Sequence, residues 1–243
     1  MPNHITNRLY VTANSAEELT DFLKSIGTEE SVIDFNKIVP MPQDLKGTEE
    51  SSTTDMSIAY YLQQTNQEEL LNKVMRFSYP ISKFDDKTEE ELAELYKKGK
   101  KYVDNYKNYG SATWYRWCLN NWGTKWNAYD DSLWVNDTED GAVITFDTAW
   151  SGVPYLIEKL TKKYPNIYFE YKFADEDFSN NTGYGDTDGD GNLCMNYPDA
   201  ESDKAVELFI ECKGYDNDDF YKDEYGNWHC KEWEDDYEDE VED

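Results

Sequence analysis

The chain has 243 residues, of which 38% are hydrophobic, so it can bury a core, and no apolar run is long enough to span a bilayer. Fifty-two acidic residues against twenty-three basic ones give a formal net charge of -29, which repels nucleic acid and anionic membranes and attracts basic protein surfaces. The N-terminus lacks a secretory signal, and the four cysteines form no CxxC pair. We therefore expect a cytoplasmic protein with reduced thiols.

The N-terminal segment predicts a strand, a helix and a second strand. Residues 3–12 alternate β-branched or aromatic residues with polar ones, which is typical of a strand. Ser15 with Glu18 three residues later forms a capping-box pattern, so a helix should begin there and end at Gly27. Apolar alternation then predicts another strand over residues 32–42.

The next part predicts helices. Residues 43–54 are rich in Gly, Ser, Thr and Glu and indicate a loop. Apolar residues at helical spacing predict two short helices over 55–64 and 67–77. Residues 88–110 open with a second capping box at Thr88 and change from acidic to basic along their length, which complements the helix dipole, so they should form the longest helix.

Residues 114–130, WYRWCLNNWGTKWNAYD, contain four tryptophans around a turn at Gly123. We interpret them as core packing at a junction between a helix and a loop, with Lys125 and Arg116 covering the aromatic edges. The alternative is a stacking platform for bases, sugars or cations, which an exposed Trp122 or Trp126 would favour.

The remaining segments complete a sheet. Residues 141–150 predict a strand, 153–165 an amphipathic helix, and 166–173 a strand. The apolar stretch 203–214 could close the sheet, and residues 224–233 predict a hairpin or edge element. Two strand–helix–strand units around a helical insertion favour an α+β fold with helices on one face of the sheet.

Four stretches, residues 1–12, 33–45, 114–130 and 146–171, resemble in this order the landmarks of the YubB-like family of uncharacterised plasmid and phage proteins. The resemblance implies a ferredoxin-like antiparallel sheet without an iron–sulfur cluster, encoded on a mobile element. It implies no activity and supplies no catalytic residues.

The patterns, together with the fold that the resemblance implies, predict two domains. The first is a ferredoxin-like domain over residues 1–214 with a helical insertion at about 47–110. The second is an acidic C-terminal extension over 215–243, where fourteen acidic residues between 216 and 243 face two basic ones. Eight of the last eleven residues are acidic, so we expect disorder at the end.

The string DTDGDGN matches the first half of a calcium-binding EF-hand loop, with candidate oxygen ligands at Asp186, Asp188, Asp190 and Asn192. The twelfth position of such a loop, where a bidentate glutamate belongs, is Tyr197. The alternative is a β-hairpin tip, because Asp-Gly favours that turn. Calcium is the single candidate cofactor.

The sequence contains few residues that could form a catalytic site. The only histidines are His4 and His229, and the neighbouring side chains of His229 and Cys230 should point to opposite faces of a strand. We therefore expect a protein without enzymatic activity.

The acidic surface remains as the candidate binding site. Solubility alone could explain it. Alternatively, acids interleaved with tyrosines could occupy a DNA-binding cleft of a basic host protein, such as a nuclease or other defence factor, in place of DNA. The candidate partner-binding residues are Asp216, Asp218, Asp219, Asp223, Glu224, Glu234, Asp235 and Asp236. The sequence does not indicate the oligomeric state.

Overall fold

A computed structural model describes residues 2–75 and 84–231. The chain divides into two compact units, one formed by residues 1–39 with 126–243 and the other by residues 40–125. The second unit includes the whole predicted insertion, 47–110. None of the helices in the described ranges is long and apolar enough to cross a membrane.

The first unit is built on an antiparallel sheet of six strands in the order β2-β3-β1-β4-β5-β6. The strands are β1 (His4–Thr12), β2 (Tyr129–Val135), β3 (Gly141–Ala149), β4 (Tyr168–Asp175), β5 (Gly183–Thr187) and β6 (Leu193–Asn196). Alternate residues of β1 are fully buried, as the polar–apolar alternation predicts. β1 is paired with β3 on one side and β4 on the other, so it lies at the centre of the sheet.

Helices cover both faces of this sheet. The helices of this unit are α1 (Ala16–Ile26), α2 (Phe35–Ile38), α7 (Pro154–Lys163) and α8 (Asp203–Lys213). Phe22 of α1 contacts Phe169 of β4 edge to face, with 5.4 Å between ring centroids. Tyr10 and Lys172 point to the opposite face, where both bind Glu211 of α8 at 2.7 Å. The expected helical layer is therefore present, and α8 adds cover to the other side.

Two short strands, β7 (Phe220–Lys222) and β8 (Trp228–Cys230), form a separate hairpin that follows α8. Phe220 and Cys230 are buried with Phe209 of α8, and Phe220 stacks on Phe178 at 5.7 Å. Residues 215–231 of the predicted extension are therefore part of the first unit and share a core cluster with α8. The predicted disorder at 233–243 lies outside the described residues.

The second unit is helical. Its helices are α3 (Ser52–Gln64), α4 (Leu71–Val74), α5 (Glu89–Tyr109) and α6 (Trp114–Asn121). The capping box predicted at Thr88 is present, and Gly110 ends α5 in the left-handed conformation at φ 72°. A Cβ at Gly99 would lie 2.0 Å from the carbonyl oxygen of Ser57, so this glycine lets α5 approach α3 closely.

The structure corrects two predictions. Residues 35–38, inside the predicted strand at 32–42, form the short helix α2, because the Asp34 side chain caps it by accepting a hydrogen bond from the Asn36 amide at 2.9 Å. Residues 203–213 form α8 instead of a strand that closes the sheet. Ser202 caps α8 at its start, and Gly214 ends it at φ 77°.

Most other elements agree with their predictions. β1, α1, β3, α7 and β4 lie where the patterns place them, and α5 is the longest helix. The predicted helix over 67–77 is a 3-10 turn, Glu68–Leu70, followed by α4, and its last two residues lie outside the described residues. The sequence patterns did not predict β2.

Candidate functional site

The acidic hairpin, as we call residues 216–230, contains the candidate acids that the structure describes. A 3-10 turn, Asn217–Asp219, precedes β7, and the Asp216 carboxylate caps this turn by accepting a hydrogen bond from the Asp218 amide at 3.0 Å. Asp218 and Asp219 belong to this 3-10 turn, and Asp223 and Glu224 follow β7 at the hairpin tip. Glu234, Asp235 and Asp236 lie outside the described residues.

Exposure separates these acids into two groups. Asp216, Asp218 and Glu224 are exposed, whereas Asp219 and Asp223 are half-buried. Beside Glu224 stands Tyr225, whose side chain is 81% exposed, the most exposed large hydrophobic group among the described residues. The hairpin therefore presents carboxylates together with an aromatic contact surface.

Asp223 is held by the turn itself. Its carboxylate accepts hydrogen bonds from the amides of Tyr225 at 2.9 Å and Asn227 at 2.8 Å. The Asn227 side chain donates a further bond at 3.0 Å, and His229 Nε2 lies 3.2 Å from the same carboxylate. These bonds, led by the Asn227 side chain, hold the pKa of Asp223 well below its usual range.

The candidate calcium loop has the same turn. Asp188 accepts hydrogen bonds from the amides of Asp190 at 2.9 Å and Asn192 at 2.8 Å, and from the Asn192 side chain at 3.0 Å. In both loops the fourth residue is a glycine at positive φ, Gly191 at 75° and Gly226 at 88°. The shared pattern is Asp-x-x-Gly-Asn, which closes the β5–β6 and β7–β8 hairpins alike.

The four candidate calcium ligands do not act as one group. The Asp188 carboxylate is engaged by turn amides, and Asp186 accepts a hydrogen bond from the Tyr168 hydroxyl at 3.0 Å. The described ranges contain no group of three or more His, Cys, Asp or Glu side chains that could hold a metal ion. These contacts favour the hairpin interpretation, and the calcium site stays a prediction.

The tryptophan segment divides between the two units. Trp117 and Trp122 are buried and pack edge to face, with 5.5 Å between ring centroids, and Gly123 turns the chain at φ 85°. Core packing is therefore correct for these two. Trp126 belongs to the other unit, is 42% exposed and contacts Tyr129 at 6.4 Å.

The guanidinium of Arg116, which we expected to cover aromatic edges, is engaged by carboxylates. It binds the Glu50 carboxylate at 2.7 and 2.9 Å and that of Asp55 at 3.3 Å, and it also donates to the carbonyl of Val74. The side chain of Glu50 is 8% exposed and that of Asp55 is 2% exposed. Sequence analysis did not single out these acids, because nothing in their local pattern shows that they are buried.

The two histidines lie in different places. His4 Nδ1 is 2.9 Å from the hydroxyl of Tyr129, whose pKa burial raises to about 12. Burial likewise raises the pKa of Asp147, which faces Tyr129 across the β2–β3 pair. His229 stacks on Tyr221 at 5.4 Å, while Cys230 is buried among the α8 side chains, so these neighbours do point apart as predicted.

The cysteines are free thiols. Cys118, Cys212 and Cys230 are buried and Cys194 is exposed. Burial raises the pKa of Cys118 and that of Cys212 to about 12, so neither supplies a thiolate near neutral pH. The prediction of reduced thiols agrees with this arrangement.

Residues 121–220 match the model of a family described as a ferredoxin-like domain in Api92-like protein. The fold is α+β with a ferredoxin-like domain. The ferredoxin-like fold implied by the motif resemblance is thus confirmed. The chain is also similar to the crystal structure of protein api92 from Yersinia pseudotuberculosis, at 10% identity and a TM-score of 0.41, over 83% of this chain and 100% of that one. No curated protein matches the chain.

Proposed function

We propose that this chain is a non-enzymatic binding protein whose acidic hairpin engages a basic surface of another protein. The observation that supports this most is the exposure of Asp216, Asp218 and Glu224 together with Tyr225. The net charge of -29 adds a long-range attraction toward basic partners. Carboxylates supply electrostatic complementarity and the tyrosine supplies contact area.

The spacing of the acids supports a charge-mimic role. The three residues of β7 separate the exposed Asp216 and Asp218 from the exposed Glu224, and a strand rises roughly 3.3 Å per residue, so about 10 Å of strand lies between the two sets of acids. A basic cleft that binds duplex DNA meets negative charges over such distances. The acidic hairpin would occupy that cleft in place of phosphates.

The motif resemblance supports a more specific form of the proposal. In this form the gene belongs to a plasmid or phage, and the protein acts in the cytoplasm of the bacterial host. Its partner is a basic host protein that binds nucleic acid, such as a nuclease or other defence factor. Occupation of the DNA-binding cleft would inhibit that factor.

The test is affinity capture from bacterial lysate, with added duplex DNA as the competitor. We expect the retained proteins to be basic and to be released by salt and by DNA. A variant with Asp216→Lys, Asp218→Lys and Glu224→Lys should lose them. The control Glu68→Lys, Glu69→Lys and Glu90→Lys makes the same change of charge at exposed acids of the other unit and should retain them.

The proposal fails if the hairpin variant retains the same partners as the control. It also fails if DNA does not compete, because a charge mimic must share its binding surface with DNA. Loss in both variants would show that the overall charge attracts the partner and that the hairpin does not bind it specifically.

A further inference from the structure

The outer side of β2 is an open sheet edge. β2 ends the sheet, and within residues 2–75 and 84–231 no strand lies beyond it. Leu133, Trp134 and Val135 follow one another at this edge with exposures of 41%, 62% and 37%. An edge strand that exposes consecutive apolar residues is a place where a strand from another chain can add.

The backbone of this edge offers free hydrogen-bonding groups. The amide of Asn136 donates to the carbonyl of Gly141 in β3 at 3.0 Å. Inward bonding alternates along an antiparallel strand, so Trp134 also bonds to β3, while Leu133 and Val135 direct their N–H and C=O groups outward. An added strand could pair with these two residues.

On one face, the edge borders a groove of about 300 Å³. Trp134 and Tyr10 form two of its walls, with Val143 between them in the same row of the sheet. Arg8 and Thr145 lie in the next row. The aromatic walls and the aliphatic floor suit an apolar side chain of an added strand.

On the other face, the edge borders a larger groove of about 660 Å³. Its apolar and acidic lining residues are Leu23, Val32, Leu133, Glu29, Glu30 and Asp131. Lys24 also contributes to the lining. Apolar walls beside carboxylates suit a lysine or arginine, whose aliphatic stem packs on the walls while its charged end meets the acids.

We propose that β2 binds, as an added strand, an extended segment of a partner protein in which basic residues alternate with apolar residues. Successive side chains of a strand point to opposite faces, so such a segment places its basic residues in one groove and its apolar residues in the other. A second copy of the chain is a poor occupant, because each copy carries a net charge of -29 and β2 contains Asp130 and Asp131. The β2 edge is distinct from the acidic hairpin, so this inference goes beyond the proposed function.

The direct test uses a capped peptide of about eight residues that alternates lysine and valine. We expect the peptide to shift the backbone NMR signals of Ser132 to Val135 and to bind measurably by calorimetry. N-methylation of alternate peptide amides, on the side that would face β2, should weaken binding about tenfold, because it removes the interchain hydrogen bonds.

Proline substitution tests the same contact from the protein side. Leu133→Pro removes an outward N–H without removing a bond to β3, and we expect about tenfold weaker peptide binding. Met195→Pro in β6, at the opposite edge of the sheet, is the matched control. The Asp188 amide donates to the Asn192 carbonyl at 3.0 Å, which fixes the alternation of the β5–β6 pair. By that alternation the N–H of Met195 points outward, so proline removes no bond to β5. The control should bind the peptide normally.

The acidic groove is tested by charge reversal. Glu29→Lys with Glu30→Lys should weaken binding, whereas Glu68→Lys with Glu69→Lys makes the same change of net charge on the other unit and should not. The proposal is overturned if the N-methylated peptide binds as tightly as the original, or if the NMR shifts fall on the acidic hairpin. If Leu133→Pro fails to fold, the two peptides on the unaltered chain still decide.

Discussion

Acidic residues occupy two contrasting environments in this protein. Glu50 and Asp55 are buried beside Arg116 in the second unit, whereas Asp216, Asp218 and Glu224 are exposed on the acidic hairpin. A buried carboxylate needs its cation, because water no longer solvates it. An exposed one contributes little to folding and remains available to a partner. The environment of an acid therefore decides its role more than the number of acids does.

The largest loss of stability should come from breaking the buried ion pair between Arg116 and Glu50. Arg116→Met leaves the Glu50 carboxylate without its two guanidinium hydrogen bonds, and breaking a buried pair in this way costs about 3 kcal/mol. We expect a lower midpoint in urea denaturation followed by tryptophan fluorescence. Lys98→Met is the control, since it removes an exposed pair with Glu94 and should leave the midpoint unchanged. Equal midpoints for the two variants would contradict the expected difference between a buried and an exposed ion pair.

An intermediate effect should come from the two turn aspartates. Hydrogen bonds from the turn, led by the side chains of Asn192 and Asn227, lower the pKa of Asp188 and that of Asp223. Both therefore stabilise the fold at pH values above the ordinary aspartate pKa of 3.8, and this stabilisation is lost as the pH falls through the folded-state pKa.

Carboxyl titrations by NMR should place both pKa values below the ordinary aspartate value of 3.8. Replacement of either aspartate by alanine should lower stability at about pH 6, and this loss should become smaller as the pH falls below the ordinary aspartate pKa of 3.8. Titration midpoints near the ordinary value would show that the turn bonds do not form in solution.

Calcium at about 1 mM tests the predicted ion site in the same spectra, since binding would shift the signals of residues 186–192 alone.

The smallest effect concerns thiol reactivity. Exposed Cys194 should react with iodoacetamide at about pH 8, whereas Cys118 and Cys212, with pKa values of about 12, should not. Mass spectrometry of the labelled chain identifies the modified positions. Early labelling of Cys118 or Cys212 would mean that the buried regions open readily.

Much of the local structure could be predicted from the sequence. The capping patterns at Ser15 and Thr88 correctly located the starts of α1 and α5. Alternation located β1, β3 and β4. These features depend on residues only a few positions apart. The sequence could not locate α2 in the same way, because a single aspartate cap outweighed the strand-like alternation around it.

The candidate site was less predictable. The charge and the tyrosine content of the sequence pointed to the acidic hairpin. Only the pairing of β7 with β8 shows that the Asp223 carboxylate accepts hydrogen bonds from the turn while the Glu224 side chain remains exposed. The edge position of β2 could not be inferred either, since a strand becomes an edge only through the order in which distant strands pair.

The sequence by itself determined the acidic character, the α+β class and most helix positions, because composition and short-range patterns are sufficient for these. The ferredoxin-like assignment came from the resemblance of its motifs to a known family. The tertiary structure alone decided which carboxylates are buried, which close turns and which face solvent. It also decided that β2 has an open side. Burial and strand order arise from contacts between residues far apart in the chain, such as Glu50 with Arg116, and no local pattern contains them.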